Sequence, residues 1–205
     1  MTIDVEQPVR RRRPADQVRQ LALECARRLL LQHGPSAITL QAVAGQLGMT
    51  HGNVTHHFGS ANGLQGALAE AMIRDLVDAV QAALAGLRAG ETDVRDVIDL
   101  VFDAFDAGGA GQLIAWLASS GHRDRLVPLC LTVAELATTL EHPAVDQQAE
   151  ARRVGRIISA VIVPALGAAL LGRELAGALL LGDDAFRVLA TDQISTIGEE
   201  QPPTL

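Results

Sequence analysis

Hydrophobic residues recur every three or four positions along most of the chain, the spacing of amphipathic helices, and no stretch alternates as strands do. The first such stripe begins after Asp16 and stops at the sequence HGP, residues 33–35. Its apolar members are Val18, Leu21, Ala22, Cys25, Ala26, Leu29 and Leu30. The pattern therefore predicts an all-α protein, which we expect to contain about nine helices.

Two short helices follow the first one. Thr39 is a suitable N-cap for a helix with the apolar stripe Leu40, Val43, Ala44 and Leu47, and Gly48 ends it. Thr50 can cap a second short helix that reaches about His57, and Ser60 a long helix that reaches about Leu87. Short helices joined by a glycine turn behind a first helix describe a helix-turn-helix unit.

The remainder of the chain is predicted to be helical as well. Apolar stripes predict helices over 94–105, 112–120, 123–141 and 145–171, a short apolar piece at 174–181, and a last helix over 184–197. The glycine-rich residues 106–111 are predicted to connect two of them. We divide the chain into an Arg-rich arm, expected to be disordered (1–14), a helix-turn-helix domain (15–60, motif about 39–58) and a helical body (61–205).

Composition supports a globular helical protein without a cofactor. Apolar residues make up 48% of the 205 residues and aromatic residues only 2%, so the core is built mainly from Leu, Val, Ile and Ala. Cys25 and Cys130 have no metal-ligand spacing and are expected to be small hydrophobes in a reducing cytoplasm. No signal peptide is predicted, and the apolar run 157–171 is short for a membrane span. We expect a cytoplasmic protein with no membrane partner and no bound metal.

Charge is distributed unevenly. Residues 1–60 contain seven Arg and four acidic residues, whereas residues 61–205 contain ten Arg and twenty acidic residues. A basic amino-terminal domain on an acidic body suggests that this domain alone meets a polyanion. All 17 basic residues are Arg, so any phosphate contact by a permanent cation comes from Arg.

The stretch GMTHGNVTHHFGS, residues 48–60, places His51, His56 and His57 in and beside the second short helix. Such histidines could bind a metal, form a solvated surface or contact nucleic acid. A zinc site is disfavoured because residues 56 and 57 point about 100° apart on a helix, and no Cys or carboxylate is close in sequence.

The stretch ITLQAVAGQLGMTHGNVTHHFGSANGL, residues 38–64, resembles the helix-turn-helix of the TetR-type transcriptional regulators. The resemblance covers about the first third of the chain, and it implies that the third helix reads the major groove of double-stranded DNA. Thr55 and Ala61 stand where the family often has Tyr and Lys that contact phosphate. Val54 and Phe58 are expected to face the first helix. The expected DNA contacts are Arg10, Arg11, Arg12, Arg13, Thr39, Gln41, Thr50, His51, Gly52, Asn53, Thr55, His56 and His57.

These DNA contacts divide by chemistry. Asn53 can pair with adenine through two hydrogen bonds, and His51 can donate to guanine. Thr39 and Gln41 begin a helix and can bind phosphate. The run Arg10–Arg13 could follow the DNA backbone or enter the minor groove. The same run could instead be a solubilising tail.

The acidic body has no catalytic signature. AGGAG, residues 107–111, follows no strand, and SSGH, residues 119–122, lacks a nucleophile-elbow pattern. The resemblance implies a small-molecule pocket in this body. Candidate pocket residues, each of which could equally be plain core, are Met72, Phe102, Phe105, Leu113, Trp116 and Leu129.

The resemblance also implies a homodimer formed by the last two long helices. Residues 154–171 are apolar on almost every side, which is more than one buried face of a surface helix needs. A partner chain would cover the apolar side chains that the chain's own core does not. The candidate interface residues are Ile157, Ile158, Val161, Ala165, Ala168, Phe186 and Leu189.

The sequence therefore predicts a homodimeric repressor that binds a palindromic operator and is released from it by a small, largely apolar ligand. It predicts no enzymatic activity. A helical protein-interaction adaptor and an enzyme on a helical scaffold remain as alternatives.

Overall fold

The computed structural model describes residues 15–140 and 146–199, and every regular element within these residues is helical. Counted with α8 and α9 as the single rod described below, these residues form nine helices, as predicted. The α-helices in chain order are α1 (Ala15–His33), α2 (Leu40–Leu47), α3 (His51–Phe58), α4 (Ala61–Ala89), α5 (Val94–Phe105), α6 (Ala110–Ser119), α7 (Val127–Leu140), α8 (Gln147–Gly167), α9 (Arg173–Ala178) and α10 (Ala185–Glu199).

The helix starts and stops of the amino-terminal domain follow the predicted signals. Thr39 accepts a hydrogen bond from the Ala42 N–H at 3.1 Å, and Thr50 accepts one from the Asn53 N–H at 3.3 Å. Ser60 caps α4 through the Gly63 N–H at 3.0 Å. Gly48 ends α2 in the left-handed conformation, with φ at 62°, which a residue with a side chain rarely adopts.

The structure corrects the predicted bounds at two places in the body. The connector is shorter than 106–111 because α6 already begins at Ala110, behind the left-handed Gly109. The helix predicted over 123–141 starts as a 3-10 turn at Arg123–Leu126 and becomes α7 only at Val127. Pro128 fits there because the first turn of a helix needs no N–H from it.

The prediction of a separate apolar piece at 174–181 is wrong. The helices α8 and α9 form one continuous rod, Gln147–Ala178. Pro164 stands inside α8, where it cannot donate a hydrogen bond to the preceding turn. A single π-helical stretch, Ala168–Gly172, then joins α8 to α9. The rod is about 48 Å long at ~1.5 Å per residue.

One hydrophobic core runs through both parts of the molecule. The long helix α4 connects them, with Leu64 and Leu68 buried toward the amino-terminal domain and Val77 and Val80 buried in the body. Gln65, at 4% exposure, donates from Nε2 to the carbonyls of Pro35 and Ile38 at 3.3 and 3.1 Å. These bonds tie α4 to the 3-10 turn Pro35–Ala37 between α1 and α2.

An ion cluster joins α5 to α10. Arg187 donates to Asp99 at 2.8 Å and to Asp103 at 2.5 Å, and its guanidinium lies 5.3 Å from the centre of the Phe102 ring. Arg95 also donates to Asp99, at 3.0 Å. Burial alone would raise the pKa of Asp99, but the hydrogen bonds from Arg187 and Arg95 outweigh it, so this pKa lies below its ordinary value.

We expect Asp99→Asn to lower the free energy of unfolding by about 1 kcal/mol at neutral pH, because a partly exposed ion pair contributes no more than that. The carboxylate contributes fully above its unfolded pKa of about 3.9. The contribution is lost as the pH falls through the lower pKa of the folded state. Urea unfolding of both proteins from pH 7 to pH 3 measures this.

The matched control is Asp78→Asn, an exposed carboxylate of α4 without an ion pair among the described residues. This variant should differ little from the wild type at any pH. A stability deficit of Asp99→Asn that stays constant down to pH 3 would show that charge is not its cause.

Candidate nucleic-acid interface and body cavity

The turn between α2 and α3 fixes which side of α3 faces solvent. Gly48 reverses the chain, and the Met49 N–H donates to the Ala44 carbonyl at 2.9 Å. Val54 and Phe58 are buried against the core of the amino-terminal domain, as predicted. The opposite side of α3 is therefore left on the surface.

The polar residues that the sequence proposed for DNA contact lie on this exposed side of α3 and at the start of α2. Those in the described part of the chain are all at least partly exposed: Thr39, Gln41, Thr50, His51, Gly52, Asn53, Thr55, His56 and His57. Thr39 and Thr50 use their oxygens as cap acceptors, but each hydroxyl still has a proton to donate. Arg10, Arg11, Arg12 and Arg13 lie outside the described residues.

Thr55 has a different environment from its neighbours. Its hydroxyl donates to the His51 carbonyl at 2.9 Å and lies 3.3 Å from His51 Nδ1. Because the hydroxyl proton is given to the carbonyl, a hydrogen bond to the ring forms when Nδ1 carries the proton and donates it to the Thr55 oxygen. The Asn53 side chain is exposed, and its side-chain amide has no hydrogen-bond partner among the described residues.

The histidines do not converge on one point. The rings of His56 and His57 meet edge to face, with centroids 5.6 Å apart. Across the described residues, no group of three or more His, Cys, Asp or Glu is placed to hold a metal ion. The exposed imidazoles are thus arranged as separate hydrogen-bonding groups along one surface.

Two residues of this unit were missed from the sequence. Arg19 of α1 lies 5.0 Å from the centre of the Phe58 ring and donates to the His57 carbonyl at 3.5 Å, bracing the end of α3. Gly63 of α4 approaches α3 so closely that a Cβ on it would lie 2.0 Å from the Phe58 carbonyl oxygen. Neither contact has a local sequence signal, because each joins two different helices.

The body contains a cavity of about 520 Å³ between α4, α5, α7, α8 and α10. Phe105 and Leu129, two of the candidate pocket residues, line it. Its other lining residues include Ile73, Val77, Val80, Leu84, Ile98, Val101, Leu126, Cys130, Val133, Leu136, Ile157, Ile158, Val161, Ile162, Leu166 and Ile194.

The four other predicted pocket residues do not line this cavity. Phe102 lies under the Arg187 guanidinium, and Leu113 is fully buried in the core. Met72 is buried in α4 close to the amino-terminal domain, and Trp116 is 38% exposed on the outside of α6. The helical pattern identified these side chains as apolar, but it did not separate tightly packed positions from cavity walls.

The predicted partner-facing residues are divided between inside and outside. Ile157, Ile158 and Val161 line the cavity, and Ala165 is only 1% exposed. Ala168 and Phe186 are partly buried and pack on the same core. Within the single chain these six side chains already pack on the cavity or the core, and their part in a dimer interface stays a prediction. Only Leu189 is largely exposed, at 57%.

Other large apolar side chains are exposed on the rod, directly after its end and on α10. We call this set the exposed leucine face, and its members are Val163, Leu170, Leu171, Leu175, Leu179, Val188 and Leu189. Among the described residues, the rod is the one helix long and apolar enough to cross a membrane, by length and composition only. The apolar side chains on the inner side of the rod line the cavity or pack in the core.

Comparison with known proteins agrees with this architecture. Residues 22–68 match the model of the family described as bacterial regulatory proteins, tetR family. No curated protein sequence matches the chain.

Solved structures resemble the whole fold at low sequence identity. A TetR-family transcriptional regulator from Pectobacterium atrosepticum is 17% identical, with 90% of this chain and 92% of that chain aligned and a TM-score of 0.56. The multidrug binding protein EbrR, complexed with imidazole, is 19% identical over 91% and 97%, with a TM-score of 0.56. The fatty acid degradation regulator FadR from Bacillus halodurans is 12% identical over 95% and 100%, with a TM-score of 0.54.

Proposed function

The chain has a TetR-family helix-turn-helix domain and the TetR-type fold, and from this premise we propose that it is a homodimeric repressor that binds operator DNA and is released by a small molecule. The observation that carries the proposal is the polar, exposed side of α3, held outward by the burial of Val54 and Phe58. A helix presented in this way fits the major groove, and its amino-terminal residues are the ones that reach base edges.

In this proposal Asn53 reads a base, whereas Thr39, Gln41 and His57 contact phosphates. An amide can form two hydrogen bonds to adenine, which no other base pair offers in the same geometry. Phosphate contacts hold the protein on any sequence.

We expect Asn53→Ala to weaken binding to the operator by roughly 1–3 kcal/mol and to leave binding to random DNA nearly unchanged. Fluorescence anisotropy at one fixed salt concentration measures both, with the promoter of the protein's own gene as the first operator candidate. Gln81→Ala, which removes an exposed amide of α4, is the control and should leave both affinities unchanged.

If Asn53→Ala weakened binding to operator and random DNA equally, the hypothesis that Asn53 reads a base would be contradicted. A wild-type protein that binds no promoter DNA would remove the regulator proposal itself and favour a protein-interaction adaptor.

Dimerisation is proposed from the exposed leucine face. Several large apolar side chains on one helical rod are unusual for the surface of a lone soluble chain. A second copy, related by a twofold axis, would cover them and set two α3 helices toward two half-sites of a palindrome.

Release by a small molecule is proposed from the position of the cavity. Leu126 and Leu129 line it, and the adjacent residues of the same turn contact the start of α4. Arg125 packs on Gly66, whose added Cβ would lie 3.2 Å from Arg125 Cδ, and His122 Nε2 lies 2.5 Å from Asn62 Nδ2. A ligand that shifts this turn would shift the start of α4 and the adjoining α3, and so favour a spacing that DNA does not accept.

A further inference from the structure

Among the residues that the structure describes, none with a charged side chain lines the body cavity. The side chains of the described lining residues are hydrocarbon, except that of Cys130, which ends in a thiol. The charges of α5 lie on another side of that helix. Arg95 pairs with Asp99, and Arg187 of α10 pairs with both Asp99 and Asp103. Ile98, Val101 and Phe105 line the cavity. An ionised ligand group would find no counter-charge in this wall.

Hydrogen bonds from the backbone are scarce there as well. Apart from Leu126, in the 3-10 turn, every lining residue lies in an α-helix, whose N–H and C=O groups pair along the helix except in its end turns. A ligand group that loses water in this cavity therefore gains few hydrogen bonds in return. For an ionised group this loss is large, because charge is poorly solvated in a low-dielectric interior.

The size of the cavity suits an organic ligand. An apolar cavity of about 150 Å³ accepts one benzene molecule. The cavity of about 520 Å³ therefore has room for about three such rings. Its volume lies within the usual range for small-molecule sites, about 300–1,000 Å³.

We propose that the effector is a neutral, hydrocarbon-rich molecule, and that the cavity rejects ligands whose buried part carries a carboxylate, sulfonate, phosphate or ammonium group. This inference rests on the proposed function, because it names the ligand class for the same site. It adds to that function that the cavity excludes ligands by their charge more than by their size.

The test uses two fluorescent probes that share one arylamine framework. N-phenyl-1-naphthylamine is neutral, and 8-anilinonaphthalene-1-sulfonate carries one additional sulfonate. We expect the wild-type protein to bind the neutral probe at least about thirtyfold more tightly in fluorescence titrations. Equal affinities, tighter binding of the sulfonate, or no binding of the neutral probe by the folded protein would overturn the proposal.

Variants locate the bound probe. Val101→Phe fills the cavity from α5 and Ile158→Phe fills it from α8, and each should weaken binding of the neutral probe at least tenfold. Val127→Phe is the matched control, because Val127 is 56% exposed on α7 and does not line the cavity. Circular dichroism melting identifies a filling variant that does not fold, and the other variant then decides.

The thiol of Cys130 gives a second readout. Cys130 is exposed and lines the cavity, whereas Cys25 is buried, and burial raises the pKa of the Cys25 thiol. N-ethylmaleimide should therefore alkylate Cys130 first, and Cys130→Ser should remove this fast reaction. The neutral probe should slow it. The proposal would be overturned if the neutral probe bound without slowing the alkylation of Cys130 and if both filling variants still bound it. Such a probe would be bound outside the cavity, for example on the exposed leucine face.

Promoter binding is measured separately, without any probe. A protein that binds the promoter but does not prefer the neutral probe contradicts the ligand class alone. A protein that prefers the neutral probe but binds no DNA contradicts the regulator proposal and leaves the selectivity of the cavity in place.

Discussion

Gly63→Ala is expected to disrupt the junction between α3 and α4 and to abolish operator binding. The new Cβ would lie 2.0 Å from the carbonyl oxygen of Phe58, and this backbone oxygen cannot turn aside as a flexible side chain could. The chain must shift α3 relative to α4 or unfold the amino-terminal domain. We expect a loss of about 3 kcal/mol or more in the free energy of unfolding, the upper end for overpacking by one methyl group. Thermal melting and promoter binding measure the two effects.

Gly45→Ala is the control for this substitution. Gly45 lies inside α2, and nothing stands within 4 Å of the position that its Cβ would occupy. Alanine should stabilise this helix by up to about 1 kcal/mol and preserve operator binding. If Gly63→Ala behaves like Gly45→Ala, then α3 and α4 are not held as closely as the geometry indicates.

Leu189→Arg is expected to convert a dimer into a monomer. Leu189 is the one predicted interface residue that remains largely exposed in the single chain. In a dimer built on the exposed leucine face, the arginine would be buried without a counter-charge, at a cost of several kcal/mol. The dissociation constant of the dimer should rise at least about a hundredfold. Multi-angle light scattering should give twice the chain mass for the wild type and once the chain mass for the variant.

The matched control is Leu131→Arg, because Leu131 is 59% exposed on α7 and lies outside the exposed leucine face. That variant should remain a dimer. A monomeric wild type at micromolar concentration would exclude the homodimer, and a dimeric Leu189→Arg would place the interface elsewhere. Ile158→Arg is a poorer test, since Ile158 lines the cavity and the arginine would disturb the body first.

Local signals in the sequence were sufficient for the amino-terminal domain. Thr39, Thr50 and Ser60 cap helices through their own side chains, and Gly48 stops a helix through its own backbone conformation. Such effects act within a few residues, so a single sequence contains them. The exposed face of α3 then follows from the burial of Val54 and Phe58.

Contacts between distant helices were not predictable in this way. Arg19 reaches across to α3 from a position that the helical pattern assigns only to the surface of α1. Trp116 was a candidate for a cavity wall because a lone Trp often lies there with its N–H free to bond, but it is exposed on the outside of α6. Periodicity identifies the apolar side of a helix, whereas a cavity depends on how several helices are spaced.

The apolarity of residues 154–171 shows the same limit. The sequence indicated correctly that one face of a surface helix could not account for it. The prediction assigned the surplus to a partner chain, and the structure shows that part of it, Ile157, Ile158 and Val161, lines the cavity of the same chain. Which half of such a helix faces outward depends on the position of α4, α5 and α7.

The continuous rod Gln147–Ala178 therefore has two roles at once. Val161 and Leu166 form cavity wall, while Val163 and Leu175 lie on the exposed leucine face. A helix is stiff along its axis, and Pro164 and the π-helical stretch interrupt the regular hydrogen bonding of this one. In a dimer that pairs these rods, occupation of one cavity would reposition the helix against which the other subunit is packed. The two ligand sites would then be cooperative, so that the response to ligand concentration is a property of the pair of subunits.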